Sequence, residues 1–353
     1  MTEEYVDVLP CIDCGVVEPI LPGQNKCRHR CVVCKSKFKK NKKHISKEKV
    51  VCSSCGVSIR SKDSYCLECQ RKLSKFLFPG VSLSYKLVIG DSSIMTEIPS
   101  NSVGCVITSP PYSYAKNYSD SKLCVGKCNS YEEYLTKLEV CFNEVYRVLT
   151  PGRVFALNVS SVILNGVTNW IPNDCYIVCK NIGFIMQEQV IWQKPPNPTQ
   201  MLRGGHLIKN NYPGYYYPDR TYEVILFFKK PGKFLRAKGE IPDDIRIASE
   251  FDYEFSKKVT GDVWYMNTIN ATQVGHLAPF PYELPYRVIS LCSHYGDTIL
   301  DPYSGSGSSM AAAKNLGRSY IGYDVDERCI ETTKKRLKQE DCKDQEFDAV
   351  YRL

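Results

Sequence analysis

Residues 106–114 read VITSPPYSY, a β-branched run that stops at two prolines and is followed at once by two aromatics. Proline fixes its own φ, brings no N–H and pushes the residue before it out of the helical region. Such a turn holds acceptors in a set geometry with no competing donor. Here those acceptors are the hydroxyl of Ser109 and the carbonyl of Pro110, followed by Pro111 and the ring of Tyr112. On these residues alone, a strand-ending turn and a site are equally good readings.

A second group with chemical potential lies in residues 296–337, GDTILDPYSGSGSSMAAAKNLGRSYIGYDVDERCIETTKKRL. The pattern reads β-turn-α-β-α: a strand ending at Leu300, a turn at Ser304-Gly305-Ser306-Gly307, and an Ala-rich helix stopped at Gly317. A second strand, SYIGYDV, then closes on Asp324. Glycines let backbone approach a ligand, and a helix N-terminus offers free N–H groups. An acid at the tip of the next strand suits the two hydroxyls of a ribose. Together they predict an adenosine-type cofactor, whereas a lone G-x-G would mean only a tight turn.

The third group is made of cysteines. Nine of the 18 lie in the first 70 residues, and eight of these form four C-x-x-C pairs: Cys11/Cys14, Cys31/Cys34, Cys52/Cys55 and Cys66/Cys69. Two consecutive pairs supply the four thiolates of one tetrahedral zinc. The simplest grouping puts one zinc on Cys11, Cys14, Cys31 and Cys34, and a second on Cys52, Cys55, Cys66 and Cys69. Interleaved pairing stays open, and Cys27 and His29 are near enough to replace a ligand of the first site. Disulfides are disfavoured without a secretory signal. Structural zinc can supply roughly 10–16 kcal/mol of apparent binding energy, which a short segment poor in large apolar residues needs. Cys124/Cys128 and Cys175/Cys179 are spaced as helix neighbours and read as buried or free thiols.

The scaffold these groups require is within reach of 353 residues: one large catalytic domain and a smaller module. The boundary is expected near residue 78, with a zinc-binding domain at 1–78 and an α/β domain at 79–353. No run of 18 apolar residues and no N-terminal apolar h-region is present, which predicts an intracellular chain with no membrane partner. Its place is then the cytoplasm or nucleoid, or the nucleus or a viral factory in a eukaryotic host. Residues 1–80 hold 16 basic and 8 acidic residues, so the whole formal net charge of +8 sits there. Two four-thiolate zinc sites would cut it to about +4. Eleven basic residues crowd between Lys26 and Lys49. That tract suits nucleic acid phosphate, although a solvated basic face has the same composition.

TSPPY upstream and DPYSGSGSS downstream resemble the catalytic and cofactor motifs of the amino-group DNA methyltransferases, which use S-adenosylmethionine. The resemblance spans residues 86–340. It includes YLTKLEVCFNEVYRVLTPGRVFALNV, IGFIMQEQVIWQKPPNP and GHLAPFPYELPYRVISLCSHYGDTILDPYSGSGS. The catalytic motif precedes the cofactor motif, the permuted order of the β group, with target recognition expected between them, within 195–270. The implied fold is a permuted, Rossmann-like, seven-stranded S-adenosylmethionine-dependent methyltransferase sheet behind a zinc module.

That resemblance also implies roles. Ser109, Pro110, Pro111 and Tyr112 would be catalytic. Asp301, Pro302, Tyr303, Gly305 and Gly307 would line the methionine half of the cofactor, Asp324 would hold its ribose, and His276, Ala278, Phe280 and Pro281 would close over it. Phe280 has plain core as an equal reading, and Asp91 either reaches the ligand or caps a helix. Within the loop at 195–220, Arg203, Lys209 and Tyr215 to Tyr217 suit a DNA-facing surface or a packed tyrosine cluster. Serine at the first motif position is associated with N4 of cytosine and aspartate with N6 of adenine. The expected activity is therefore site-specific cytosine-N4 methylation of double-stranded DNA. Adenine-N6 methylation and a catalytically inactive DNA-binding protein are the alternatives, and a companion restriction endonuclease is compatible with the activity. The sequence departs from the family pattern at Tyr303 for Phe, Ser308-Ser309 for Thr-Thr, Asp324 for Glu, Leu277 for Pro, and Arg153 within a Pro-Gly-Gly.

Overall fold

A computed structural model describes residues 81–112, 119, 121–164, 166–195, 220–233, 240–251, 253–268 and 280–339, together with five further strands. The chain divides into two compact units, Met1–Cys69 and Gln70–Leu353. In the first, β1 (Val8–Pro10) pairs antiparallel with β2 (Val17–Pro19), and β3 (Val50–Val51) with β4 (Ser58–Ile59). The eight predicted zinc ligands lie outside the described residues.

The second unit is built on one mixed sheet. Its strands, in chain order, are β5 (Tyr85–Ile89), β6 (Val103–Thr108), β7 (Leu149–Val159), β10 (Ile185–Gln193), β11 (Tyr222–Lys229), β12 (Val263–Tyr265), β13 (Thr298–Asp301), β14 (Ser319–Asp324) and β15 (Asp348–Tyr351). Their spatial order is β12-β10-β11-β7-β6-β13-β14-β5-β15, with only β11 running against its neighbours. Among the described residues the sheet therefore has nine strands, not the seven expected. β12 and β15, three and four residues long, add in parallel to the two outer strands of a seven-stranded centre. An outer strand presents unpaired N–H and C=O groups, and a short extra strand satisfies them. A small hairpin, β8 (Val162–Leu164) with β9 (Val167–Asn169), follows β7.

Period-two alternation sends each central strand into two cores. Val106, Phe155, Leu157, Leu226 and Phe228 point into one, while Cys105, Ile107, Ala156, Ile225 and Phe227 point into the other. The first is covered by α1 (Tyr131–Val148) and α2 (Ile171–Ile182), through Leu138, Phe142, Val145, Cys175 and Cys179. Ser130 caps α1, its hydroxyl accepting the Glu133 N–H at 3.1 Å. The short helices α3 (Asp243–Ala248) and α4 (Tyr253–Val259) lead to β12. The second core is covered by α5 (Glu283–Cys292), α6 (Ser308–Asn315) and α7 (Glu327–Gln339), through Leu284, Val288, Met310, Ala313 and Ile330. No described helix is long and apolar enough to cross a membrane.

Cys175 and Cys179 are helix neighbours on α2, as their spacing suggests. Cys124 and Cys128 are not: they sit in successive turns before α1, where Cys128 Sγ meets the Val125 carbonyl at 2.8 Å. All four thiols are buried. The departure at Arg153 has a local reason, since its guanidinium crosses to Asp297 at 3.0 Å and to His294 Nδ1 at 3.1 Å.

Candidate active site

The adjacent parallel strands β6, β13 and β14 end at one sheet edge. Sheet order thus brings together Ser109–Tyr112 after β6, Asp301–Gly307 after β13, and Asp324 at the tip of β14. Pro110 and Pro302 are buried, while Ser109, Pro111, Tyr112 and Tyr303 are half-buried. Tyr112 and Tyr303 both pack against the first core.

The turn between β13 and α6 has the conformation its glycines predict. Gly305 and Gly307 have φ of 50° and 77°, in the left-handed region where side chains are strained. A Cβ on Gly307 would also stand 2.4 Å from Thr333 Cγ2, so α7 packs directly over the turn. Gly317, at φ 71°, ends the segment after α6, with the Arg318 N–H reaching back to the Ala313 carbonyl at 2.9 Å.

Two carboxylates organise this edge. Asp301 is 0 % exposed, and its Oδ1 accepts the Thr108 hydroxyl at 2.6 Å and the Tyr303 N–H at 3.1 Å. Its Oδ2 accepts the Ser309 hydroxyl at 2.6 Å. One carboxylate therefore ties the residue before Ser109 to both the loop and the first turn of α6. Asp324 is only partly buried; its Oδ2 accepts the Gly305 N–H at 2.9 Å and its Oδ1 the Asp326 N–H at 2.8 Å. Burial pushes both carboxyls up to about 6, against the hydrogen bonds that favour their charged forms.

Asp301 thus stands behind the loop, sealed from solvent, rather than at a ligand-lining surface. Phe280 packs against the second core, and its carbonyl accepts the Ser308 hydroxyl at 3.1 Å. Asp91 closes a turn instead of capping a helix, its oxygens accepting from the Ser93 N–H and hydroxyl at 2.9 and 2.5 Å. His276, Ala278, Tyr114, and Arg203 through Tyr217 fall outside the described residues. Sequence reasoning passed over Asn158, at the end of β7, and Glu223, near the start of β11. Asn158 is 1 % exposed, and its Nδ2 lies 2.6 Å from Glu223 Oε2 and 3.5 Å from Ser109 Oγ. The available signal was an amide in the apolar run VFALNV and an acid ahead of VILFF.

Residues 103–335, about two-thirds of the chain, match the N6/N4 methyltransferase family, described as DNA methylase. The chain belongs to this family. The DNA methylase is 31% identical over 276 residues to the Type II methyltransferase M.MjaI of Methanocaldococcus jannaschii, covering 70% of this chain and 88% of that one. With M.MthZI of Methanothermobacter thermautotrophicus it shares 28% identity, over 72% and 77% of the two chains. Among solved structures, it resembles a DNA modification methylase of Thermus thermophilus, TTHA0409, in complex with S-adenosyl-L-methionine. That match has a TM-score of 0.59 and 26% identity, over 75% and 99% of the two chains. The PvuII cytosine-N4-specific methyltransferase shares the fold at a TM-score of 0.54 and 17% identity, over 73% and 89%.

Proposed function

We propose that this DNA methylase is a β-group enzyme transferring the methyl of S-adenosylmethionine to N4 of cytosine in a short sequence of double-stranded DNA. The observation that carries the reading is the meeting of Ser109–Tyr112 with the Gly305–Gly307 turn and Asp324 at one sheet edge. The β-group assignment is supported by chain order, since β6 with its tetrapeptide precedes β13 and the Gly-rich turn. Serine at 109 supports cytosine over adenine.

The residues fit the cofactor. Each Asp324 oxygen accepts one backbone N–H and keeps a lone pair for a ribose hydroxyl. The related TTHA0409 structure, solved with S-adenosyl-L-methionine, supports the same ligand here. When bound, the cofactor supplies an electrophilic methyl on a sulfonium. The chain's task is to prepare the nucleophile. An exocyclic amine has its lone pair delocalised into the base, and attack requires that nitrogen to become more tetrahedral. Acceptors on its two N–H bonds, the Ser109 hydroxyl and the Pro110 carbonyl, favour that state selectively. Tyr112 stacks on the base, which leaves the duplex at a cost of a few kcal/mol.

The N-terminal unit is the DNA grip in this reading, with two zinc ions holding its basic segment in shape. The C-x-x-C spacing supports this, as does the position in sequence of Cys11/Cys14 between β1 and β2 and of Cys52/Cys55 between β3 and β4. Metal analysis is expected to find about two zinc per chain, and a folded, metal-free unit would contradict the assignment. Tyr112→Ala tests the site. Stacking of ~1–3 kcal/mol per base predicts a roughly tenfold to hundredfold loss of methylation with cofactor affinity nearly unchanged. Equal loss of both would reassign that side chain.

A further inference from the structure

We propose that Glu223, anchored by Lys194, is a positioning residue that sets the Asn158 amide and, through it, the hydroxyl of Ser109. The inference rests on the methyl-transfer reading above. Lys194 follows β10, Glu223 opens β11, Asn158 closes β7 and Ser109 follows β6, and these four strands are consecutive neighbours in the sheet. Register keeps the side chains together. Asn158 pairs with Ile225, which puts Glu223, two residues away, on the same sheet face as Asn158. Glu223 in turn pairs with Trp192, two residues before Lys194.

The contacts form one line. Lys194 Nζ meets Glu223 Oε1 at 2.6 Å, and Glu223 Oε2 accepts from Asn158 Nδ2 at 2.6 Å. The same Nδ2 faces Ser109 Oγ at 3.5 Å, long for a hydrogen bond but of the kind that tightens when substrate fills a site. Asn158 Oδ1 is buried and has no partner among the described residues. An amide free to choose would turn that oxygen toward a donor. The carboxylate prevents it, because reversal would set Oδ1 against Glu223, two acceptors face to face. Lys194 holds the carboxylate in place, and the charge strengthens the amide as a donor.

The consequence falls on Ser109. With Asn158 donating to Oγ, one lone pair of the hydroxyl is taken and the other remains for the incoming amine. The hydroxyl hydrogen cannot point at Asn158 and is directed away from it. Glu223 touches neither base nor cofactor in this scheme and acts only through Asn158.

Glu223→Gln in the full chain is the test. Its amide can donate to Asn158 Oδ1 and so permits the reversal. The expected result is a kcat at least tenfold lower, with cofactor Kd, DNA KM and melting temperature close to wild type. Asn158→Leu should lose a similar factor, and the double variant should be no slower than Asn158→Leu alone. Lys194→Met, which leaves the Glu223–Asn158 bond, should cost less than either and guards against a misfolded Glu223→Gln. A Glu223→Gln enzyme within twofold of wild-type kcat, or losses that multiply in the double variant, would overturn the inference while leaving the methyl-transfer reading intact. Wild-type protein inactive on every DNA would sink both.

Discussion

Asp301 and Asp324 end the neighbouring strands β13 and β14, and burial pushes both up to about 6, yet they are built into the fold in opposite ways. Asp301 is surrounded by donors from three places in the chain: Thr108 before the catalytic turn, Tyr303 in the loop and Ser309 in α6. Asp324 takes only backbone N–H groups of its own turn and of Gly305, and stays partly open. Equal shifts therefore mark unequal jobs: one carboxyl binds protein to protein, the other has capacity left for a ligand. A motif match alone would have placed both on the cofactor.

Alanine at each position should separate them. Asp301→Ala strands three buried donors and leaves a cavity, a loss of about 3–5 kcal/mol, which lowers the melting temperature by roughly 10 °C. Asp324→Ala should leave the melting temperature within a few degrees and weaken S-adenosylmethionine binding by about tenfold to hundredfold, the worth of one or two hydrogen bonds to a charged group. Calorimetric melting and titration on both variants check this, and matching losses on both measurements would erase the distinction.

The next effect is on pH. Ribose hydroxyls donate to the ionised form of Asp324, so cofactor binding is full above about 6 and is lost as the pH falls through that value. Affinity should drop about tenfold per pH unit below 6, with proton release on binding near pH 6. A flat affinity between pH 5 and 8 would remove Asp324 from the cofactor's contacts. Smallest are the single donors to Asp301. Thr108→Val or Ser309→Ala should each cost about 1–3 kcal/mol and raise the Asp301 carboxyl further, with cofactor affinity changed little. Chemical unfolding curves at pH 7.5 measure that loss.

The cofactor half of the site was readable because it is local. β13, the glycine turn, α6 and β14 follow one another within 27 residues, from Thr298 to Asp324, and each has its own signal in apolar strands, glycines and a C-terminal Gly317. Lys194, Glu223, Asn158 and Ser109 come from four strands far apart in sequence, aligned only by sheet order and register. No window of residues contains that line. β12 and β15 are too short to show a period, so the two added strands were equally silent. Cys124 and Cys128 show the opposite failure, since spacing of four residues occurs in consecutive turns as well as in helices.

The central claim is the chemistry at Ser109. Purified protein, S-adenosylmethionine labelled on its methyl and mixed-sequence duplex DNA, followed by digestion to nucleosides and mass spectrometry, should give labelled N4-methylcytosine. N6-methyladenine as the sole labelled product would contradict the cytosine assignment, and no labelled nucleoside on any DNA would contradict methyl transfer itself.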